Sequence, residues 1–363
     1  MTLAHSPLHA RHLELGAKLA EFGGWEMPLE YAGGGVLAEH KAVREGVGIF
    51  DVSHLGKATV QGPGAAAYLD RCLTNAVDRI APGQAQYTLC CDDDGGVVDD
   101  LIVYLRSDDD VLLVPNAANT AEVVRRLVER APGDLTITDR HHDFAVLAVQ
   151  GPRSEETLAQ LGLPVSHDYM SYAEAQLDGA TLTVCRTGYT GERGYELVVP
   201  ADSAVAVWDA IMAGGEEHAI RACGLGARDT LRTEMGYPLH GQDLSLEISP
   251  VMARLGWAVG WDKPEFWGRD ALLAQRQAGE VPLLRGLVAV GRGIARPHMA
   301  VAAGGAEVGE VTSGTFSPTL RRGVALALLD RTVSVGDEVT VDVRGRAEPF
   351  RVTAPPFVES STR

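Results

Sequence analysis

The stretch from Gln86 to Asn119, QYTLCCDDDGGVVDDLIVYLRSDDDVLLVPNAAN, constrains the fold more than any other part of the chain. Two apolar runs flank Asp94-Gly95-Gly96, the local pattern of a β-hairpin whose loop is longer than two residues. The second run opens on Asp99 and Asp100. Strand alternation sorts Asp99 with Leu101, Val103 and Leu105, and Asp100 with Ile102, Tyr104 and Arg106. The first face is apolar and the second mixed. A carboxylate sharing a face with an aromatic ring and a cation is well placed to meet a flat, polar ligand. From this segment alone the plainer reading, two aspartates solvating the end of a hairpin, is the stronger.

At 363 residues the chain exceeds one ordinary core, which predicts two or three domains. No apolar run approaches the roughly 20 residues of a membrane-spanning helix. The opening MTLAHSPLHARHLELG lacks a basic start followed by an apolar block, so no secretory signal and a cytoplasmic location are expected. A net charge of −17 argues against a nucleic-acid partner, which requires clustered Lys and Arg. The five cysteines, Cys72, Cys90, Cys91, Cys185 and Cys223, contain no C-x-x-C pair and read as buried thiols. The histidines show no metal spacing, with His54 and His240 isolated and His141-His142 adjacent, so no metal is expected.

Along the chain, Leu8 to Ala20 suggests a helix running into a glycine-rich turn, FGGWEMPLEY, and Val36 to Glu45 a second helix. Ala58 and Val60 mark a strand, and GPGAAAYLDRCL opens a helix. Thr120 to Arg130 is amphipathic, with Val123, Leu127 and Val128 inward. The turn after the Phe144 to Val149 strand repeats the earlier Gln-Gly-Pro, hinting at two related α+β units. WDKPEFWGRDALLAQRQ reads as one surface helix. From Gly286 the texture changes to short, regularly spaced strands, an all-β barrel or jelly roll.

The loop Gly188 to Gly194 lacks the lysine of a phosphate cradle, and no helix follows it. Close backbone approach to something flat, or a simple hairpin loop, explains it better. Glu196 faces away from Tyr195 and Leu197, either toward solvent or toward the paired N–H donors of a heterocycle. No Ser-His-Asp order or G-x-S-x-G turn suggests acyl transfer. Residue chemistry alone therefore names no reaction.

The ordered set FGGWEMPLEY, GIFDVSHLGKATVQGP, GGVVDDLIVY, NAAN, AVQGP, RTGYTGERGYE, CGLGARDTLRTEMGYPLHGQD and EVTSGTFSPTL resembles the aminomethyltransferases of the glycine cleavage system, the T-protein family. Each motif alone is weak; eight in order, from Phe22 to Leu320, are specific. The resemblance implies an α+β fold of three domains in a ring around a central folate site. Two are α+β domains with antiparallel sheets and the third is a C-terminal all-β barrel or jelly roll. The expected bounds are 1–50 with 140–256 for a discontinuous first domain, 51–139 for the hairpin domain, 257–285 for a linker helix and 286–363 for the barrel.

The implied activity transfers the methylene of an aminomethyl group, carried on the lipoyl arm of H-protein, to tetrahydrofolate. Carried over by motif, Asp100 is the catalytic carboxylate, expected near its ordinary pKa in a partly wet site. Asn116 and Glu196 are expected to hydrogen-bond the pterin, Tyr189 to pack on the folate and Arg228 to bind it. Tyr104, Tyr87, Leu55 and Tyr237 complete the expected pocket. Leu55 stands where the family usually has Met, and Pro115 removes a backbone donor beside Asn116. Lys18, Lys41, Lys57 and Arg292 are candidate contacts for H-protein.

Three other readings share the architecture. A folate-binding factor for iron–sulfur assembly would carry a K-G-C-Y-x-G-Q motif, whereas this chain has MGYPLHGQ without the cysteine. A folate-dependent demethylase would need no lipoyl partner. A scaffold would bind folate without turnover.

Overall fold

The computed structural model describes residues 2–362 of the chain. The central hairpin forms as its pattern implies, with strands Ala85–Cys91 and Val97–Ser107 antiparallel across the acidic loop. Asp110–Val114, Ala58–Gln61 and Thr136–Asp139 complete a five-stranded sheet. Alternation then sorts the Val97–Ser107 strand between two cores. Leu101, Val103 and Leu105 pack with Leu69 of helix Ala65–Cys72 and with Val123 and Leu127 of helix Thr120–Arg130. Tyr104 and Ile102 pack the other way, against Val146, Ala148, Cys185 and Val198.

Those last four residues belong to a six-stranded sheet, in the order Tyr172–Leu177, Ala180–Cys185, Gly194–Pro200, Phe144–Gln150, Gly48–Asp51 and Arg221–Cys223. The two sheets thus share an apolar core, and Leu231 of helix Leu225–Met235 closes one side of it. The C-terminal strands, Leu283–Ala289 through Ala347–Thr353, form a closed six-stranded barrel. Closure pairs every strand and removes exposed edges.

Buried charges tie the barrel to the rest. Glu234 accepts hydrogen bonds from Ser317 Oγ at 2.5 Å and Thr319 Oγ1 at 2.9 Å in the barrel domain, and from Arg44 Nη2 at 2.7 Å. Arg232, one turn earlier, donates to Asp243 at 2.9 Å and to Ser313 Oγ at 3.0 Å. With the side chains of Ser317, Thr319, Arg44 and His40 converging on it, Glu234 is held down to a pKa of about 2: its hydrogen bonds and the nearby His40 and Arg44 outweigh the cost of burial.

Three local expectations are corrected. Helix at the N-terminus is confined to His9–Glu14; Ala17–Phe22 and Trp25–Tyr31 instead form a strand pair turning at Gly23 and Gly24, both at positive φ. Val128 is 52% exposed, because five residues beyond Val123 a helix has rotated most of the way to its opposite side. The expected surface helix after Trp257 begins only at Arg269, since Gly268 takes φ +79 with its backbone against the Asp92 carbonyl. Among the described residues no helix is long and apolar enough to cross a membrane.

Candidate active site

A cavity of about 240 Å³ opens where the five-stranded and six-stranded sheets meet. Asp100 and Tyr104 reach it from the long hairpin strand, Tyr87 from the strand beside it, and Asn116 from the loop after Asp110–Val114. Glu196 enters from the six-stranded sheet, Arg228 from helix Leu225–Met235, and Leu55, Tyr189 and Tyr237 from connecting segments. All nine residues singled out in the sequence therefore line one wall or another of this cavity.

Asp99 and Asp100 separate as alternation requires. Asp99 is fully buried behind the wall, accepting the Asn116 backbone N–H at 2.9 Å and the side-chain amides of Asn116 at 2.9 Å and Asn119 at 2.7 Å. It is the anchor that folds NAAN back onto the strand. Asp100 faces the cavity, where one carboxylate oxygen accepts the Tyr87 hydroxyl at 3.0 Å and the other the Asn116 amide at 2.9 Å. Burial raises the pKa of both, Asp99 the more strongly because Asp100 also repels it. The expectation of an ordinary pKa for Asp100 is thus overturned: aromatic walls desolvate the carboxyl more than its two hydrogen bonds stabilise the anion. Asn116 spends its amide donors on the two aspartates, which leaves its amide oxygen as the group it can offer inward.

Across the cavity, Thr187 Oγ1 donates to Glu196 at 2.6 Å and lies 3.3 Å from the Tyr104 hydroxyl. The Arg228 guanidinium stacks over the Tyr189 ring at 4.7 Å, and its Nη1 is buried with no hydrogen-bond partner. Burial depresses its pKa, the mark of a cation short of acceptors. Tyr189 is pinned in turn, its hydroxyl donating to the Pro238 carbonyl and its ring 5.6 Å from Tyr237. At the mouth, Trp257, 67% exposed, stacks on Tyr87 at 5.3 Å.

The glycine loop has a local explanation. A Cβ on Gly188 would stand 2.2 Å from the Gln150 side chain, and one on Gly194 2.4 Å from it. Gln150 is fully buried, donating to the Thr187 carbonyl at 3.2 Å and accepting Thr190 Oγ1 at 2.8 Å. The flat group that the backbone approaches so closely is this carboxamide. By holding the loop, Gln150 sets Thr187 and Tyr189 in the wall.

Two histidines read as isolated also reach the cavity, and no sequence spacing pointed to either. His240 accepts from Asn119 at Nδ1, 3.0 Å away, and donates from Nε2 to the Val97 carbonyl at 2.9 Å, so it braces the asparagine that holds Asp99. His54 is buried with Nδ1 unpartnered, and its pKa falls to about 3, through burial and then Arg228. Lys57, nominated as a surface contact, is fully buried and caps the Ser53 and Leu55 carbonyls at 2.9 and 2.8 Å. The expectation that the histidines form no metal-like group is corrected as well: His5, His9 and Glu26 place ligand atoms within 4.8 Å of one another. The two imidazoles stack 4.0 Å apart at 6°, however, and parallel rings cannot both direct an in-plane lone pair at one ion.

Two family models cover nearly all of the chain, the GCVT N-terminal domain at residues 8–263 and the glycine cleavage T-protein C-terminal barrel domain at residues 284–359. The chain is 65% identical over 362 residues to an aminomethyltransferase of Parafrankia sp. (strain EAN1pec), covering 99% of both chains. It is 59% identical over 363 residues to that of Mycobacterium tuberculosis (strain ATCC 25618 / H37Rv), covering 99% of this chain and 98% of the other. The crystal structure of the glycine cleavage system aminomethyltransferase T from Bartonella henselae superposes with a TM-score of 0.93 at 34% identity, over 99% of each chain. Models spanning both parts of the chain, full-length relatives and a matching fold agree: this chain belongs to the glycine cleavage T-protein family of aminomethyltransferases.

Proposed function

We infer that this aminomethyltransferase of the glycine cleavage system works in the central cavity, with tetrahydrofolate bound among its tyrosines and its reactive nitrogens toward Asp100. The other substrate is the aminomethyl group on the lipoyl arm of H-protein. Products are 5,10-methylenetetrahydrofolate, ammonia and dihydrolipoyl H-protein. The observation that carries this reading is the Asp100 carboxyl, raised by burial yet held by Tyr87 and Asn116, opposite an acceptor at Glu196 and a buried guanidinium at Arg228 with a partnerless nitrogen.

The cavity fits a folate by chemistry. Pterins present paired amino and ring N–H donors, which Glu196 and the Asn116 amide oxygen suit as acceptors. Tyrosine faces suit a flat ring and an aminobenzoyl group, and Arg228 Nη1 supplies the directed donor that carbonyl or carboxylate oxygens accept.

In the reaction the transferred carbon exchanges its bonds to nitrogen and sulfur for bonds to two folate nitrogens. Two protons leave those nitrogens, and one each ends on ammonia and on the thiol. Asp100 is the group placed to move them. A carboxyl with a raised pKa can protonate the departing amine and then accept a proton, and such transfers contribute about 10²–10⁴-fold in rate. Tyr87 and Asn116 fix the carboxyl plane, and Asn119 with His240 fixes the asparagine loop behind it.

The test is a mixture of purified protein, tetrahydrofolate and aminomethyl-loaded H-protein, followed for ammonia and methylenetetrahydrofolate. Product dependent on both partners is expected. Tight folate binding without turnover would overturn the assigned chemistry and bring back the demethylase or scaffold reading.

A further inference from the structure

Beyond the last barrel strand, Ala347–Thr353, the chain turns back over the two elements that bring Arg228 and Tyr189 to the cavity. Pro355 fills the space beside Gly236, where a Cβ would collide with it, and the Phe357 N–H donates to the Glu234 carbonyl at 2.8 Å. Both contacts are with the C-terminal end of helix Leu225–Met235, which carries Arg228. Farther along, the Ser361 N–H and the Ser360 hydroxyl converge on one acceptor, the Gly191 carbonyl, at 2.9 and 3.1 Å, and the Ser361 hydroxyl donates to Glu192. Arg186 completes the attachment by donating to the Thr362 carbonyl at 2.7 Å and to the Gly194 carbonyl at 3.2 Å.

Gly191 and Glu192 form the turn of the loop that holds Tyr189 in the cavity wall. Gly191 takes φ +84, and a Cβ there would collide with Met235, so this turn is pressed against the same helix end. Gln150 holds the loop through Thr190 at 2.8 Å, and Arg44 donates to the Thr190 carbonyl at 2.7 Å and to Glu192 at 2.8 Å. The two serines add the bonds to the Gly191 carbonyl that those side chains do not make. Ser360 and Ser361 are exposed and bring no apolar side chain with them, so their hydrogen bonds add little to the stability of the whole fold. What they restrict is the loop. We propose that residues 357–362 are a strap that positions the folate-stacking pair: it fastens the helix bearing Arg228 to the loop bearing Tyr189, and so keeps the guanidinium over the ring at 4.7 Å. The inference rests on the folate reading of the central cavity and adds to it positioning residues that lie outside the cavity lining. With the strap in place folate meets a formed wall; without it the loop must be ordered at the expense of binding energy, while Asp100 on the hairpin is untouched.

The test compares the full chain with a deletion of residues 360–363, with Ser361→Ala and with Ser361→Thr, measuring tetrahydrofolate Kd, kcat, KM for each substrate and the melting transition. Expected is a rise of about tenfold in Kd and KM for tetrahydrofolate in the deletion and about threefold in Ser361→Ala, with kcat at saturating folate and KM for loaded H-protein within about twofold of the full chain. Ser361→Thr keeps the hydroxyl and should bind folate as the full chain does. A strap that served stability alone would instead lower Tm and leave the folate KM where it was. Folate binding by the deletion within about twofold of the full chain overturns the proposal, and so does a parallel loss of kcat, both KM values and Tm. If the deletion does not fold, the Ser361→Ala and Ser361→Thr pair decides: equal folate affinity in the two overturns the strap. Failure of the full chain itself to bind tetrahydrofolate overturns the folate reading, and the positioning role with it.

Discussion

Replacing Asp100 by Asn separates chemistry from architecture more cleanly than any other change. The amide has the shape of the carboxyl, so the Asn116 contact at 2.9 Å survives with the new oxygen on that side. The new NH₂ then faces the Tyr87 hydroxyl, which can turn from donor to acceptor at the same 3.0 Å separation. One charge next to buried Asp99 disappears, which relieves the repulsion that helps to raise the Asp99 pKa. Stability should therefore hold or rise. Tetrahydrofolate affinity should change little, because Glu196 and Arg228 on the opposite wall are untouched. What is lost is the proton transfer, worth about 10²–10⁴-fold or roughly 3–5 kcal/mol of barrier. The assay is single-turnover formation of methylenetetrahydrofolate from loaded H-protein, with folate Kd and Tm measured on the same preparation. Turnover within about threefold of wild type, with Kd unchanged, would refute the assignment of Asp100 as the proton-transfer group. A matched pH profile gives a second reading: because the protonated Asp100 is the form that protonates the departing amine, wild-type kcat/KM should fall as pH rises through a pKa that burial lifts above the ordinary carboxylate range, and that limb should vanish in the variant.

Further outcomes follow from the same geometry. Arg228→Met should weaken tetrahydrofolate binding about 10–100-fold, the worth of a charge-assisted hydrogen bond, while Tm stays level or rises because a buried unpartnered guanidinium nitrogen is removed. Burial depresses the Lys57 pKa to about 7 from 10.5, so between those values the unfolded chain binds the extra proton; wild-type stability relative to Lys57→Met should therefore rise with pH across that window, by at most about 1.4 kcal/mol per unit, checked by denaturant melts at pH 7 and 9.5. Glu234, held near 2 against an ordinary 4.5, contributes stability that is complete above about pH 4.5 and is lost as pH falls toward 2; Glu234→Gln should be less stable at pH 6 and should lose less on acidification, read from urea midpoints. Gly188→Ala should cost about 2 kcal/mol or more and slow turnover as well, because displacing the Gln150 carboxamide frees the loop that carries Thr187 and Tyr189.

The sequence alone determined the central hairpin, the amphipathic helix Thr120–Arg130 and the barrel, because each is written in a period of two or 3.6 that needs no distant residue for its reading. It also put Asp99 and Asp100 on opposite faces, since alternation is a local property of a strand, whereas the choice of Asp100 for the site came from the family motif. The ordered motifs carried the family. Only the tertiary structure decided how these groups behave. His240 and His54 sit far from the hairpin in sequence and meet it only because helix Leu225–Met235 and the sheets converge. Lys57 reads as a surface lysine, yet folding buries its ammonium under two carbonyls. The pKa of Asp100 depends on water excluded by Tyr87, Tyr104 and Tyr189, residues on three different segments. Periodicity fixes direction residue by residue, whereas desolvation and counter-charge are sums over neighbours that the chain assembles only when it folds.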